Sequence, residues 1–312
     1  MHTVDTSSEA FWRAAEPMRD AVNAALDRYA QYDSSCPAEL RDAIRHSLLA
    51  PGKRLRPLLV LMAAEACGCD SRRALPAACA VEMVHTYSLI HDDLPAMDDD
   101  ELRRGRPSCH AAFGEATAIL AGDALLAQAF EVLARETRPP EAAAKCCAEL
   151  ARAAGASHLV GGQADDLAAQ TRGDVDSGAS PKGGQSDLAR LESIHRRKTG
   201  ALLTACLKLG GLVAEADERR LQALENYGQN LGLAFQIVDD LLDLSGDVTT
   251  MGKPTGKDSS RGKLTFPGVL GAEASTERAR QLLDDACQAL APLEPRTAAL
   301  EGLAHYVLDR HH

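Results

Sequence analysis

Two groups of closely spaced aspartates are the residues whose types and spacing are best suited to chemistry. Each group stands at the end of an apolar helical stretch, and each is followed by Lys or Arg. The first group is Asp92, Asp93 and Asp98, and the second is Asp239, Asp240 and Asp243. One acidic run is usually a solvated helix end. Two such groups instead indicate hard divalent cations, because Mg²⁺ binds one or two carboxylates and takes phosphates and waters as its other ligands. The pattern predicts an enzyme whose substrate is a diphosphate.

The spacing within each group has a structural consequence. On an α-helix Asp239 and Asp243 lie about 40° apart, so the second group shares one face. Asp92 and Asp98 would lie about 120° apart on a regular helix, too far to share one metal cluster. Pro95 stands between them and cannot continue a helix undisturbed. We therefore expect a break near residues 94–96 that brings Asp98 back towards Asp92.

Three basic stretches accompany the aspartates. Residues 50–57 form a basic turn that opens a helix, where backbone N–H groups with Lys53 and Arg56 make an anion site. His85, on an intervening helix, is a candidate donor, although a lone histidine there is more often a core residue. Residues 249–263 lack the spacing of a Walker phosphate loop, and their lysines predict a cationic lid instead, with a solvated linker as the alternative. The third stretch is Arg196–Gly200, in an otherwise apolar helix.

Composition excludes several classes of protein. A net charge of −11 argues against a nucleic-acid partner, and 45% hydrophobic residues over a length of 312 suffice for a large core. The nine cysteines are scattered without a CxxC pair, which is typical of a reducing cytoplasm. Acidic residues near the N-terminus and the absence of an apolar run near 18 residues predict a cytoplasmic protein without a leader or a membrane span.

The chain is predicted to be all-α. Strong helix formers with apolar residues at spacings of three and four predict helices over the ranges below, and no strand is expected. A Gly/Ser-rich stretch at 171–187 is predicted to be a mobile loop. The predicted helices span 9–30, 38–50, 57–67, 74–92, 116–136, 141–155, 186–212, 217–245, 276–290 and 296–310.

These motifs together resemble the trans-polyprenyl diphosphate synthases, most closely the bacterial short-chain farnesyl diphosphate synthases. The resemblance covers roughly Ala50 to the C-terminus in register, and the two aspartate motifs with the basic turn make it specific. The motifs are GKRLRP (52–57), SLIHDDLPAMDDDELRRGRPSCH (88–110), FGEATAILAGDALL (113–126), GGQADDLA (161–168), HRRKTGAL (195–202), GLAFQIVDDLLDLSGD (232–247) and GKLTFP (262–267).

The resemblance implies a fold, an assembly and a cofactor. The fold is a single domain over residues 1–312, a large helical bundle of the isoprenoid synthase type around a deep central cavity, and the assembly is a homodimer. The cofactor is Mg²⁺, about three ions per active site with substrate bound. The implied metal ligands are Asp92, Asp98, Asp239 and Asp243, with support from Asp93 and Asp240.

The resemblance also implies residues that bind two substrates, an allylic diphosphate and isopentenyl diphosphate. The allylic substrate would contact Arg103, Lys198, Thr199, Gln236 and Lys253, with Lys263 also in the lid. Isopentenyl diphosphate would contact Gly52, Lys53, Arg56, His85 and Arg104.

The predicted reaction is the condensation of isopentenyl diphosphate with dimethylallyl or geranyl diphosphate to farnesyl diphosphate. Ser88 lies one helical turn before Asp92 and Tyr87 adjoins it, so both line the path of a growing chain. In the family an aromatic residue at the position of Tyr87 accompanies the fifteen-carbon product, although Tyr87 could instead be core packing.

Four alternatives to this reaction differ in what they require. A geranylgeranyl diphosphate synthase would need a deeper cavity than Tyr87 allows, and a class I terpene cyclase has no use for a second diphosphate site. A catalytically silent partner of a heteromeric synthase would not need intact aspartates in both motifs. A structural Mg²⁺-binding protein would not explain the basic residues beside each acidic cluster.

Overall fold

The computed structural model describes residues 7–175, 185–245 and 264–309 of the chain. These residues are almost entirely helical, which confirms the predicted all-α class. They divide into two compact units. The first unit comprises Ala14–Ala148 and Leu209–Ala216, and the second comprises the described residues of Met1–Arg13, Glu149–Lys208 and Asp217–His312.

The first unit is organised around helix α4, which packs against α3 and α6. Residues 77–84 of α4 are all buried, as expected for a helix that is apolar on every side. The only charged residue in this buried stretch is Glu82. The helices of this part of the chain are α1 (Ser7–Tyr29), α2 (Ala38–Leu48), α3 (Leu55–Ala66), α4 (Leu75–Asp92), α5 (Cys109–Phe113), α6 (Glu115–Glu136) and α7 (Pro140–Ala154), with a 3₁₀ turn at Ser71–Ala74.

A small hairpin follows the first aspartate motif, so the expectation of no strand was wrong at this point. Strand β1 (Leu102–Arg103) pairs antiparallel with β2 (Arg106–Pro107). The two residues between them, Arg104 and Gly105, both have positive φ, of 51° and 73°. This is the backbone that a two-residue hairpin turn requires. Strands of two residues are too short to show an alternating sequence pattern, which is why the sequence did not reveal them.

The second unit is built around the long helix α11, which packs against α13. The Tyr227 hydroxyl on α11 is buried and donates a hydrogen bond to the Leu300 carbonyl oxygen at 2.7 Å, which ties α11 to α14. The helices here are α8 (Leu159–Val175), α9 (Gln185–His195), α10 (Ala201–Val213), α11 (Glu218–Ser245), α12 (Phe266–Leu270), α13 (Ala272–Ala289) and α14 (Ala298–Asp309), with a π-helical turn at Arg196–Gly200 and a 3₁₀ turn at Ala291–Leu293.

The predicted helices are confirmed with three additions, α5, α8 and α12, which the sequence did not indicate. Helix α8 has two glycines near its start and adjacent aspartates, all of which are poor helix formers. Residues 171–175 of the predicted loop continue α8, and residues 185–187 begin α9. The rest of that loop, 176–184, and the whole of the predicted lid, 249–263, lie outside the described residues.

Helix α6 is long and apolar enough, by length and composition, to cross a membrane, and it is the one such helix among the described residues. One of its faces packs against α4, while Ile119 and Leu120 on another face are exposed. A core helix of a soluble protein has the same composition, so the absence of a membrane span stays a prediction.

Candidate active site

Helix α4 ends at Asp92, and the chain then turns back on itself. The Asp98 amide donates a hydrogen bond to the Asp92 carbonyl oxygen at 2.9 Å, so the backbones of the two aspartates lie side by side. The predicted break is therefore confirmed, with the helix ending two residues before Leu94. Pro95 accounts for this, since the residue before a proline is disfavoured in the helical conformation.

Asp93 has a different environment from Asp92. Its side chain is buried, and both of its carboxylate oxygens accept hydrogen bonds from Arg103 Nε, at 3.0 and 3.1 Å. Burial alone would lower the pKa of Arg103, but the hydrogen bond and negative charge of Asp93 raise it. The pair fastens strand β1 to the end of α4. The predicted contact of Arg103 with the allylic diphosphate stays a prediction.

The basic turn, helix α4 and the turn of the β1–β2 hairpin bring together four of the five residues predicted to bind isopentenyl diphosphate. Arg56 Nη1 lies 3.1 Å from His85 Nε2, and since arginine only donates, this nitrogen of His85 accepts. Arg104 Nη1 donates to the Pro51 carbonyl oxygen at 2.9 Å. The Arg104 guanidinium lies where a Cβ at Gly52 would be in its way, so the lack of a side chain at this position leaves room for it. Lys53, in the same turn, is exposed.

The electrostatics of this cluster favour an anion. Desolvation and then the neighbouring Arg56, Arg104, Arg103 and Arg54 hold the pKa of His85 well below its ordinary value, so the ring is neutral at pH 7. Burial and the nearby arginines also lower the pKa of Arg104, against the opposing effect of Glu82. Cations that disfavour one another's charge in this way would be stabilised by a bound diphosphate.

In the second unit, Lys198 and Thr199 lie on the π-helical turn between α9 and α10. Lys198 Nζ donates to Asp166 Oδ2 of α8 at 2.6 Å, and Thr199 Oγ1 donates to Gln236 Oε1 of α11 at 3.2 Å. A Cβ at Gly162 would collide with the Lys198 backbone. The turn is thus held between α8 and α11, and three of the residues predicted for the allylic substrate are brought together.

Asp240, the second aspartate of its pair, is also engaged by the protein. Its Oδ2 accepts a hydrogen bond from the Phe266 amide at 2.9 Å, at the first residue of α12. His195 Nε2 lies 3.8 Å from the same oxygen, and its ring stacks on that of Phe266. Asp93 and Asp240 thus both bond to residues of a later segment, Asp93 to a guanidinium and Asp240 to a backbone amide.

The donor set fits Mg²⁺. Within residues 7–175, 185–245 and 264–309, no group of three carboxylate, imidazole or thiol side chains is arranged to hold a metal ion by protein ligands alone. Mg²⁺ does not require such a group, because substrate phosphates and waters supply most of its ligands. Asp92 and Asp98 lie in the first unit, and Asp239 and Asp243 in the second. Their shared metal cluster stays a prediction, as do the roles of Lys253 and Lys263 in the undescribed lid.

Tyr87 and Ser88 lie on α4, one to two turns before its end. Tyr87 is buried, and its ring meets that of His91 edge to face with centroids 5.5 Å apart. Burial and then the charges of Asp92 and Asp123 raise the pKa of the Tyr87 hydroxyl. The Ser88 hydroxyl donates to the His85 carbonyl oxygen at 2.9 Å. Tyr87 is thus a bulky group close to the first aspartate of the motif.

Three residues of this site were not assigned a role from the sequence. Asp166 belongs to the GGQADDLA motif, and an aspartate on a helix could have indicated a partner for a lysine. Glu82 could have been found as a lone acid in an apolar helix, which requires a cation. That cation is Arg54, with Nη1 2.8 Å from Glu82 Oε1.

Comparison with known proteins identifies the class. The polyprenyl synthetase family model matches residues 37–296. The farnesyl diphosphate synthase of Escherichia coli K12 is 46% identical over 277 residues, covering 86% of this chain and 88% of that protein. The chloroplastic geranylgeranyl pyrophosphate synthase 12 of Arabidopsis thaliana is 46% identical over 279 residues, covering 88% and 75%. An apo crystal structure of an FPP/GFPP synthase from Zymomonas mobilis superposes with a TM-score of 0.83 at 34% identity, covering 96% and 99%.

An all-α fold with this site belongs to the isoprenoid synthases, as the sequence resemblance indicated. The chain is a member of the polyprenyl synthetase family and a head-to-tail prenyltransferase. Its relatives carry the names of both farnesyl and geranylgeranyl synthases, so they share the class of reaction and differ in product length.

Proposed function

We propose that the protein is a farnesyl diphosphate synthase, which condenses isopentenyl diphosphate with dimethylallyl or geranyl diphosphate and releases diphosphate. The observation that carries the proposal is the cluster of Gly52, Arg56, His85 and Arg104. His85 and Asp92 are seven residues apart on α4, which is about 10 Å along the helix axis. One helix therefore carries an anion site and a metal motif at a separation suited to two diphosphates.

The allylic substrate is activated by stabilising its leaving group. Asp92, Asp98, Asp239 and Asp243 would hold Mg²⁺, which when bound neutralises charge that develops on the leaving diphosphate. Lys198, Thr199 and Gln236 would orient that diphosphate, and Asp166 would keep Lys198 in place. Cleavage of the allylic C–O bond then leaves a delocalised carbocation.

The carbocation reacts with the second substrate. Arg56, Arg104 and Lys53 would bind the diphosphate of isopentenyl diphosphate, with Gly52 leaving room for Arg104. The double bond of isopentenyl diphosphate attacks the cation, a C–C bond forms, and the released diphosphate takes the proton that restores the double bond. Water must be excluded because it would quench the cation, and the lysine-bearing segment 249–263 is the proposed lid.

Product length is the finer part of the proposal. The burial of the Tyr87 ring near Asp92 supports a fifteen-carbon product, because a bulky ring there would act as the floor of the chain-elongation path. The alternative is a geranylgeranyl diphosphate synthase, in which Tyr87 is core packing and a deeper residue limits the chain. A class I terpene cyclase is less well supported, because it has no use for the anion site at the basic turn.

We also propose a cytoplasmic homodimer. Helix α6 exposes 42% of Ile119 and 57% of Leu120 while its other side packs on α4. Adjacent exposed large aliphatic side chains on one helix support an association surface. A second copy of the chain is the proposed partner, with no nucleic acid and no membrane involved.

A substrate panel tests the proposed function. The protein is incubated with Mg²⁺ and isopentenyl diphosphate together with dimethylallyl, geranyl or farnesyl diphosphate, and the dephosphorylated products are separated by chromatography. Farnesol from the first two mixtures, and no extension of farnesyl diphosphate, is the expected result. Geranylgeraniol as main product would favour the longer-chain alternative. Cyclised hydrocarbons formed without isopentenyl diphosphate would indicate a cyclase, and no turnover at all would favour a silent partner.

A further inference from the structure

Arg54 is the most buried of the three cations of the basic turn. It is 6% exposed, whereas Lys53 beside it is exposed. Its Nε donates to Asn23 Oδ1 at 3.0 Å, its Nη1 to Glu82 Oε1 at 2.8 Å and its Nη2 to the Ala50 carbonyl oxygen at 2.9 Å. The guanidinium is thus hydrogen-bonded to α1, to α4 and to the turn itself.

The backbone of Arg54 requires such support. Its φ of 53° and ψ of 37° lie in the left-handed region, which arginine adopts rarely and at an energetic cost. It is the residue immediately before helix α3, and no side chain caps that end of the helix. Because the bond to Ala50 spans only four residues, one side chain fixes the shape of residues 50–54. The turn that carries Gly52 and Lys53 therefore depends on Arg54.

Two parallel contacts join this turn to α4. Glu82 and His85 are three residues apart and so lie on one face of the helix. Glu82 holds Arg54, and His85 accepts a hydrogen bond from Arg56. Arg54 and Arg56, two residues apart at the start of α3, are thus fixed to adjacent turns of α4. The carboxylate of Glu82 also offsets part of the repulsion between Arg54 and Arg104, since Glu82 raises the pKa of Arg104 whereas Arg54 lowers it.

We propose that Arg54, held by Glu82 and Asn23, is a positioning residue that fixes Gly52, Lys53 and Arg56 in the geometry that binds isopentenyl diphosphate. The proposal rests on the proposed function. Arg54 does not touch the substrate. Without its three hydrogen bonds the backbone returns to a right-handed or extended conformation, and the groups on either side of it move. Displacements of about 1 Å in binding groups can cost on the order of 10²-fold in rate.

The test compares binding and kinetics of Arg54→Met and Glu82→Gln with those of the wild type. Arg54→Met keeps the aliphatic stem and removes all three hydrogen bonds, while Glu82→Gln keeps the shape and removes the charge. Calorimetry with isopentenyl diphosphate alone should show its Kd raised about tenfold or more in Arg54→Met, with a smaller rise in Glu82→Gln. The KM for geranyl diphosphate should stay within about twofold of the wild-type value.

Arg54→Gly and Arg45→Met are the matched variants. Arg54→Gly relieves the backbone cost and also removes the side chain, so the proposal requires the same loss of isopentenyl diphosphate binding as in Arg54→Met. Arg45 likewise donates to an acid, Asp27 Oδ1 at 2.9 Å, and to a carbonyl, that of Ala30 at 3.0 Å. Arg45→Met should therefore alter stability without altering either substrate's KM.

Three outcomes would overturn the proposal. These are an unchanged Kd in folded Arg54→Met, equal rises in the KM of both substrates, and recovery of wild-type binding in Arg54→Gly. If Arg54→Met does not fold, Asn23→Ala removes one hydrogen bond at the exposed rim and should still raise the Kd about two- to fivefold. No rise there would contradict the positioning role. Binding and turnover by the wild type are measured first, so that their absence counts against the proposed function and not against Arg54.

Discussion

The amide of Asp98 donates to the carbonyl oxygen of Asp92 at 2.9 Å, although six positions separate the two residues along the chain. A continuing helix would have directed them about 120° apart. Ending α4 at Asp92 and turning at Pro95 instead places the two aspartates side by side. The side chain of the neighbouring Asp93 is instead hydrogen-bonded to Arg103.

This arrangement predicts that adjacent aspartates differ sharply in importance. Asp98→Asn should reduce turnover on the order of 10²-fold, because a carboxylate that holds Mg²⁺ against the leaving diphosphate is lost. Asp99 is exposed with φ of 51°, a conformation that asparagine tolerates, so Asp99→Asn should retain wild-type turnover. Steady-state rates at saturating substrates make the comparison. Equal losses of turnover in both variants would show that the turn does not distinguish Asp98 from Asp99 as a metal ligand.

Asp93 should matter for stability. Asp93→Ala removes the hydrogen-bonded partner of the largely buried Arg103 guanidinium and leaves Asp100 Oδ2 4.0 Å away, which should cost on the order of 3 kcal/mol in the free energy of unfolding. Urea denaturation measures the change, and exposed Asp99→Asn again serves as the control with almost no change. In the double variant Asp93→Ala/Arg103→Ala the loss should be smaller than the sum of the single losses. Additive losses would contradict a coupled pair.

The shifted pKa of His85 predicts a pH dependence of stability. In the unfolded chain this residue binds a proton with a pKa near 6.5, whereas the folded protein resists protonation there. The unfolded state is therefore favoured as pH falls below about 6.5, by up to about 1.4 kcal/mol per pH unit. His85→Asn should remove this contribution to the dependence of the free energy of unfolding on pH. Denaturation midpoints between pH 5 and 8 test it, and identical slopes in both proteins would refute a suppressed pKa.

Tyr87 is predicted to set product length. Tyr87→Ala should shift the products from fifteen to twenty carbons and beyond, because the ring no longer blocks the path of the chain. Tyr87→Phe keeps the ring and should keep farnesyl diphosphate as the product. Ser88→Phe, which adds a ring on the adjoining position, should shorten the product. Chromatography of the dephosphorylated products decides, and an unchanged fifteen-carbon product in Tyr87→Ala would exclude Tyr87 as the floor.

The exposed face of α6 is predicted to join two copies of the chain. Leu120→Glu should convert a dimer into a monomer, since a charge on that surface would have to be desolvated on association. Val160, an exposed aliphatic residue of α8, supplies the control variant Val160→Glu, which should remain dimeric. Sedimentation velocity measures the mass. A monomeric wild type would show that the chain does not form a dimer. A dimeric Leu120→Glu would show that the interface lies elsewhere.

Much of this site could be predicted from the sequence because its signals are local. Pro95 between two aspartates predicted the break in α4, and the density of arginine and lysine in residues 50–57 predicted an anion site. Helix α4 ends at Asp92, the last residue of the predicted range 74–92 and two residues before the break expected near 94–96, because proline restricts the residue that precedes it as well as itself.

What the sequence did not show depends on contacts between distant segments. Arg54 and Glu82 are 28 positions apart, and Lys198 and Asp166 are 32 apart, so neither pairing has a spacing signature. Helix α8 was missed because Gly161 and Gly162 lower helix propensity, yet Gly162 is required for the close approach to Lys198. The requirement comes from packing, which propensity does not include.

The measurement that tests the central claim most directly is the conversion of radiolabelled isopentenyl diphosphate and geranyl diphosphate to product, with Mg²⁺ and then with excess EDTA. The proposed mechanism predicts a fifteen-carbon diphosphate formed in equimolar amount with released diphosphate, and no product in EDTA. Full activity in EDTA, or consumption of geranyl diphosphate without incorporation of the label, would contradict it.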